Sequence, residues 1–164
     1  MKTLLALSLA LFCSIGWSAD TPVTRKEAAS VFSKMSKILR RVLHISSAAK
    51  EFKSGDGIAT RDEVLAQLSS YLDLIRPSFR VTTAPQPFDR SVLTLKSSKS
   101  VALAEKLSRA GFLDPYGPLI RSRAIGLTPE EFGDVLSYFL SRVAEATHTP
   151  NSKFSPGLMP DGGG

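Results

Sequence analysis

The chain has 164 residues, a formal net charge of +6 and a single cysteine. One cysteine cannot close a disulfide within the chain, which excludes the class of small exported domains that disulfides stabilise. The length is sufficient for one domain with a sizeable apolar core, and the basic balance favours association with anionic surfaces.

The first 19 residues have the layout of a secretory signal peptide. Lys2 supplies the positive charge, residues 4–15 form an apolar run, and small residues allow cleavage after Ser18 or Ala19. The run is too short for a membrane span, and Cys13 lies inside it. We therefore expect a signal peptide at 1–19, a folded domain at 20–146 and a disordered tail at 147–164. The protein would be exported to the periplasm, the cell wall or the exterior.

One four-residue pattern occurs three times after the signal peptide. It reads Thr24-Arg25-Lys26-Glu27, then Thr60-Arg61-Asp62-Glu63, then Thr128-Pro129-Glu130-Glu131. A threonine followed three residues later by glutamate, ahead of an apolar run, is the capping box that begins an α-helix. The residue before each threonine is apolar and is placed as a hydrophobic staple: Val23, Ala59 and Leu127.

The repeat continues into the apolar pattern that follows each box. Positions four, eight, eleven and fifteen after each threonine are apolar in all three copies, and these steps keep the side chains on one helix face. The positions are Ala28, Phe32, Met35 and Leu39; Val64, Leu68, Tyr71 and Ile75; and Phe132, Leu136, Phe139 and Val143. The sequence predicts three matching helices that pack through these stripes.

The first of these helices is predicted from Thr24 to about Leu43. Its outer face is basic and includes Lys37, Arg40 and Arg41. These charges have two interpretations: they complement the negative end of the helix dipole, or they form a binding face for a polyanion. A second short helix is predicted from Ile45 to Phe52, and the glycines at 55 and 57 end it.

The segment from Phe52 to Glu63 has some features of an EF-hand calcium loop. Asp56-Gly57 and Glu63 fall on the fifth, sixth and twelfth positions of such a loop. Phe52 then occupies the first position, where calcium binding requires a carboxylate. We therefore do not expect a metal site here.

The rest of the chain is predicted as three further helices joined by irregular segments. The helix from Thr60 ends near Ile75, before Pro77. Residues 77–97 are predicted as an extended connector with β character around 81–83 and 92–95. A helix from Ser98 or Lys99 to Ala110 ends with Gly111, a proline-rich loop follows, and the last helix runs from Thr128 to about Ala146.

Residues that could support catalysis are scarce. His44 and His148 have no partner at metal-ligand spacing, and the glutamates at the helix starts are explained by the helix dipole. The sequence contains no nucleophile motif and no phosphate-binding glycine loop. We expect no enzymatic activity, no cofactor, no metal and no nucleic-acid partner.

The repeat resembles the S-layer homology family. The block from Val101 to Val143 reads helix, Gly-Phe-Leu, proline-rich loop, Leu-Thr-Pro-Glu-Glu-Phe, helix, and Val23-Thr24-Arg25-Lys26-Glu27-Ala28 is similar to the family's helix start. The resemblance implies an exported, all-helical module that anchors proteins to cell-wall polysaccharide. It also implies that the arginine after the threonine, Arg25 or Arg61, helps to hold an anionic sugar substituent, a charge that Pro129 lacks.

Together these features predict an all-α bundle of helix–loop–helix repeats with the connector at 77–97. The expected function is attachment to an anionic cell-wall polysaccharide or another part of the cell envelope. The candidate ligand-binding residues are Arg25, Arg61, Lys37, Arg40 and Arg41. The alternative is a periplasmic helical domain that binds another protein and has no carbohydrate role.

Overall fold

The computed structural model describes residues 21–154, and they form the all-α fold that the sequence predicts. The helices are α1 (Arg25–Leu43), α2 (Arg61–Ile75), α3 (Ser98–Arg109), α4 (Pro118–Arg121) and α5 (Pro129–Thr147). Within 21–154 no helix combines the length and apolar character needed to cross a membrane. The predicted signal peptide and the end of the predicted tail, residues 155–164, lie outside the described residues.

All three predicted capping boxes are present. The hydroxyls of Thr24, Thr60 and Thr128 each accept a hydrogen bond from the backbone N–H three residues on, at 3.2 Å. In return the glutamate carboxylate accepts from the threonine N–H at 2.8–2.9 Å. Each box thus satisfies two N–H groups that have no partner inside the helix, which fixes where α1, α2 and α5 begin.

The apolar stripes form the core, as predicted. All twelve stripe residues are at most 2% exposed. Phe32 on α1 lies at their meeting point, because its ring packs edge-on against Phe132 of α5 at 5.4 Å and, tilted by 50°, against Tyr71 of α2 at 5.9 Å. The Tyr71 hydroxyl also donates to the Phe32 carbonyl at 2.6 Å. The three Thr-box helices therefore pack through their matched faces.

The helix ends also follow the predicted signals. The α-helical part of α2 ends at Ile75, and a 3₁₀ turn continues through Pro77. Gly111 follows α3 with φ of +79°, and a Cβ there would lie 2.5 Å from the Ala84 carbonyl, so the position requires glycine. His44 and His148 end α1 and α5 in the left-handed conformation, with φ of 54° and 52°.

The predicted short helix at 45–52 is absent from the structure. Its backbone groups bond to α2 side chains instead: Gln67 donates to the Lys50 carbonyl at 2.8 Å, and the Lys50 N–H donates to the Ser70 hydroxyl at 3.2 Å. Because α2 satisfies these groups, the segment lies across the helix surface in an irregular conformation.

The connector at 77–97 is irregular and contains no strand in its described residues. Its N–H groups donate mainly to carbonyls at helix ends and in loops: Arg80 to Ala146, Gln86 to Ser108, and Thr94 to Ile120. The β-prone residues therefore lie over the helical core without a partner strand, apart from a 3₁₀ turn at Arg90–Val92.

The structure differs from the prediction at two places in the last third of the chain. The predicted proline-rich loop contains the four-residue helix α4, which begins at Pro118. The predicted disordered tail begins inside α5, which extends to Thr147, and Phe154 is buried in the core. The buried Phe154 side chain and the hydrogen bond from the Thr149 N–H to the Ala144 carbonyl thus anchor the first part of the tail, although the segment is rich in proline and polar residues.

Candidate functional site

The N-termini of α1, α2 and α5 meet at one end of the domain. The Val23 N–H donates to the Leu127 carbonyl, and the Ala59 N–H donates to the Val23 carbonyl, both at 2.9 Å. These three residues precede the capping threonines, and all are buried. The staples therefore join the three helix starts directly through the backbone. We call this meeting point the cap junction.

The cap junction has three sides, one between each pair of helix starts. The side between α1 and α2 and the side between α2 and α5 have the same backbone geometry. The Arg25 N–H donates to the Gly57 carbonyl at 2.7 Å, and the Arg61 N–H donates to the Ile125 carbonyl at 2.9 Å. In both cases the first residue of one helix bonds to the residue three before the next capping threonine. Pro129 begins α5 and has no N–H, so the third side cannot make this bond.

Arg25 lies on the side of the cap junction between α1 and α2. Its Nε donates to Glu63 Oε1 at 2.8 Å, and its side chain is 37% exposed. Gly57 makes room for the guanidinium, because a Cβ there would lie 2.8 Å from it. Burial alone would raise the pKa of Glu63, but hydrogen bonds from Thr60 and Arg25 hold that pKa below its usual value.

Arg61 occupies the equivalent position on α2 but has different surroundings. The residue is only 7% exposed. Its guanidinium donates to the Ala124 carbonyl at 2.8 Å, to the Thr94 hydroxyl at 2.7 Å and to the Leu119 carbonyl at 3.2 Å. Burial lowers the pKa of Arg61, while Asp62 and Glu131 oppose that change. Its donors therefore join the connector to the loop that carries α4.

Lys37 and Arg40 line a groove between α1 and the segment 48–52, with a volume of about 330 Å³. We call it the basic groove. Lys50 adds a third cation, and Ser33 and Ser36 add hydroxyls. Its apolar lining consists of Ala29, Phe32, Ala48, Ala49, Phe52 and Tyr71, and Glu51 is its one carboxylate. Arg41 is exposed but does not line this groove.

The five predicted site residues therefore do not form one cluster. Lys37 follows Arg25 by twelve residues along α1, which corresponds to roughly 18 Å at about 1.5 Å per residue. Arg25 and Arg61 lie at the cap junction, whereas Lys37 and Arg40 lie in the basic groove farther along α1.

Sequence reasoning missed the contribution of Lys50. The prediction placed it on a short helix, whereas Gln67 and Ser70 hold its backbone against α2 and the lysine lines the basic groove. The signal available in the sequence was weak: the polar residues Gln67, Ser69 and Ser70 interrupt the apolar pattern of α2. Glu63, the last position of the EF-hand-like loop, is bonded to Thr60 and Arg25, and the part of the chain described contains no cluster of metal-binding side chains.

Comparisons with protein-family models, with curated proteins and with solved structures give no match to this chain. The all-α class is thus defined by the structure itself, and the functional argument depends on the geometry of the cap junction and the basic groove.

Proposed function

We propose that this protein is an exported, non-catalytic module, similar to S-layer homology domains, that attaches to an anionic polymer of the cell envelope. Two features support the family resemblance: the three Thr-box sequences, and the meeting of their helices at the cap junction. The net positive charge, which remains when Lys2 of the predicted signal peptide is left out, supports an anionic partner.

The observation that carries the proposal is the basic groove. Lys37, Arg40 and Lys50 line one concave surface, and none of them forms an ion pair with another residue in 21–154. The Arg40 guanidinium donates to the Ser46 carbonyl at 3.0 Å, which leaves further N–H groups for a ligand. An extended polymer with repeated negative charges would find cations and serine hydroxyls along the same groove.

The two arginines after the capping threonines have separate roles in this proposal. Arg25 is partly exposed at the N-terminus of α1, where the helix dipole also attracts an anion, so it is a candidate for a second contact with the polymer. Arg61 is buried and bonded to three protein oxygens, so we assign it to positioning the connector and the α4 loop.

Sedimentation with purified cell-wall sacculi tests the proposal. The triple variant Lys37→Gln, Arg40→Gln, Lys50→Gln is expected to lose most of its retention at physiological salt, and wild-type retention is expected to fall as salt rises. The matched control carries Lys96→Gln, Lys99→Gln and Arg123→Gln, which remove three exposed charges outside the groove. Equal retention of the two variants would contradict the groove as the binding site.

A protein partner is the second candidate, and a particular apolar surface favours it. Ile58 and Ile125 are 43% and 72% exposed, and both lie beside the cap junction. Changing Ile125 to serine should reduce binding to intact envelopes but not to protein-free sacculi if this candidate is correct. Retention that depends on the basic groove in protein-free sacculi favours the polymer.

A further inference from the structure

A second concave site lies away from both the cap junction and the basic groove. It has a volume of about 380 Å³ and lies between the end of α2, the start of the connector and the end of α3. Arg76, Arg80 and Arg109 line it, together with Thr82 and Thr83. We call it the arginine cavity. Three arginines around one small concavity form a local concentration of positive charge.

The wall of the arginine cavity is held at both ends. The N–H groups of Arg80 and Val81 donate to the Ala146 carbonyl at 2.7 and 3.2 Å. The Thr83 hydroxyl donates to the Ala110 carbonyl at the end of α3. These bonds fix the backbone of residues 80–83 against two helix ends, so the shape of the cavity does not depend on a bound ligand.

The ring of Phe79 supports the same wall from the core side. It stacks on Phe112 with the ring centroids 5.4 Å apart and the planes 3° from parallel. Phe79 therefore anchors this segment to the core. Arg76 and Arg80, which lie before and after it in the sequence, are both exposed.

The arginines of the cavity have few protein partners. Neither Arg76 nor Arg80 takes part in any ion pair found in residues 21–154, and Arg109 pairs only with Glu105, at 2.6 Å. The C-terminal ends of α2, α3 and α5 lie nearby, and each contributes roughly half a negative charge. Three such ends offset about half of the three positive charges, and Glu105, which also pairs with Arg90, offsets part of the charge of Arg109. The helix dipoles and Glu105 therefore balance much of the charge of this cluster but not all of it, and the charge that remains on Arg76 and Arg80 favours an anion.

We infer that the arginine cavity binds a compact dianionic phosphate group, either inorganic phosphate or a phosphate monoester. Guanidinium groups donate in pairs to phosphate oxygens, so Arg76, Arg80 and Arg109 can together engage several oxygens of one group. The Thr82 side chain is exposed beside them and supplies a hydroxyl. This inference does not depend on polymer binding in the basic groove.

A titration of the full chain with potassium phosphate at pH 7.5, followed by NMR chemical shifts, tests the inference. Potassium chloride at equal ionic strength is the reference, and at this pH the phosphate is mainly dianionic. We expect saturable shifts at residues 76–83 and 109–111. A parallel titration with glycerol 3-phosphate shows which of the two forms binds more tightly.

The double variant Arg76→Gln, Arg80→Gln is expected to bind phosphate at least tenfold more weakly than the wild type. The control, Arg121→Gln with Arg123→Gln, removes two exposed arginines elsewhere and should bind like the wild type. Thermal melts of both variants verify that they fold. Shifts that chloride reproduces, or equal weakening in the two variants, would overturn the assignment, because the effect would then be general charge screening.

Discussion

The two equivalent sides of the cap junction share a motif and a backbone geometry but differ in how the arginine is used. Arg25 is partly exposed and pairs with Glu63, whereas Arg61 is buried and donates to three oxygens of the connector and the α4 loop. The difference comes from the residues that surround each arginine. Gly55 and Gly57 lie against Arg25, whereas Thr94 and residues 119–124 surround Arg61. A repeated motif therefore specifies the helix start without specifying the role of its arginine.

The largest expected effect concerns Phe32, which lies where the three helices meet below the cap junction. Phe32 contacts the stripes of α2 and α5, so Phe32→Ala should lower the free energy of unfolding by about 3–5 kcal/mol. Chemical denaturation measures this loss. Phe154→Ala is a useful comparison, since Phe154 is also buried but follows α5 and does not belong to the three stripes, so a smaller loss is expected. A loss below that of Phe154→Ala would show that the three helices do not share one core.

The capping threonines should have a smaller and more uniform effect. Thr24→Ala, Thr60→Ala and Thr128→Ala should each cost about 0.5–2 kcal/mol, because each removes an acceptor for a helix N–H. The matching serine variants keep the hydroxyl and should be almost unchanged in a thermal melt. If serine were as damaging as alanine, the threonine methyl groups rather than the caps would be responsible.

The smallest expected effect is a pH dependence of stability on the Arg25 side of the cap junction. The pKa of Glu63 is lowered in the folded protein, so its contribution to stability is present above its ordinary value of 4.5 and is lost as pH falls through the folded pKa. The stability difference between wild type and Arg25→Gln should therefore shrink on acidification. Melts between pH 7 and pH 3 test this, and a difference that stays constant would argue against the Arg25–Glu63 pair as its source.

The sequence predicted the features that depend on local spacing. Capping boxes, stripes and the glycine after α3 are each recognised from residues within one helix or directly beside it, and all are present in the described chain. The short helix at 45–52 was predicted wrongly because its backbone partners, Gln67 and Ser70, come from a different helix.

The candidate site was predictable only in part, because it too depends on contacts between residues that are far apart in the sequence. The basic face of α1 is visible in the sequence, but the fold decides that Lys50 lines the same groove and that Arg41 does not. Likewise, the burial of Arg61 depends on Thr94 and on the α4 loop, which lie 33 and 58–63 residues away along the chain.

The most direct test of the difference between the two arginines is to measure the unfolding free energy of Arg61→Gln and Arg25→Gln side by side. Arg61→Gln leaves buried acceptors without their charged donor and should cost about 1–3 kcal/mol. Arg25→Gln breaks a partly exposed ion pair and should cost about 0.2–1 kcal/mol. A clearly larger loss for Arg61→Gln is the predicted result. Equal losses, or a larger loss for Arg25→Gln, would contradict the structural role assigned to Arg61.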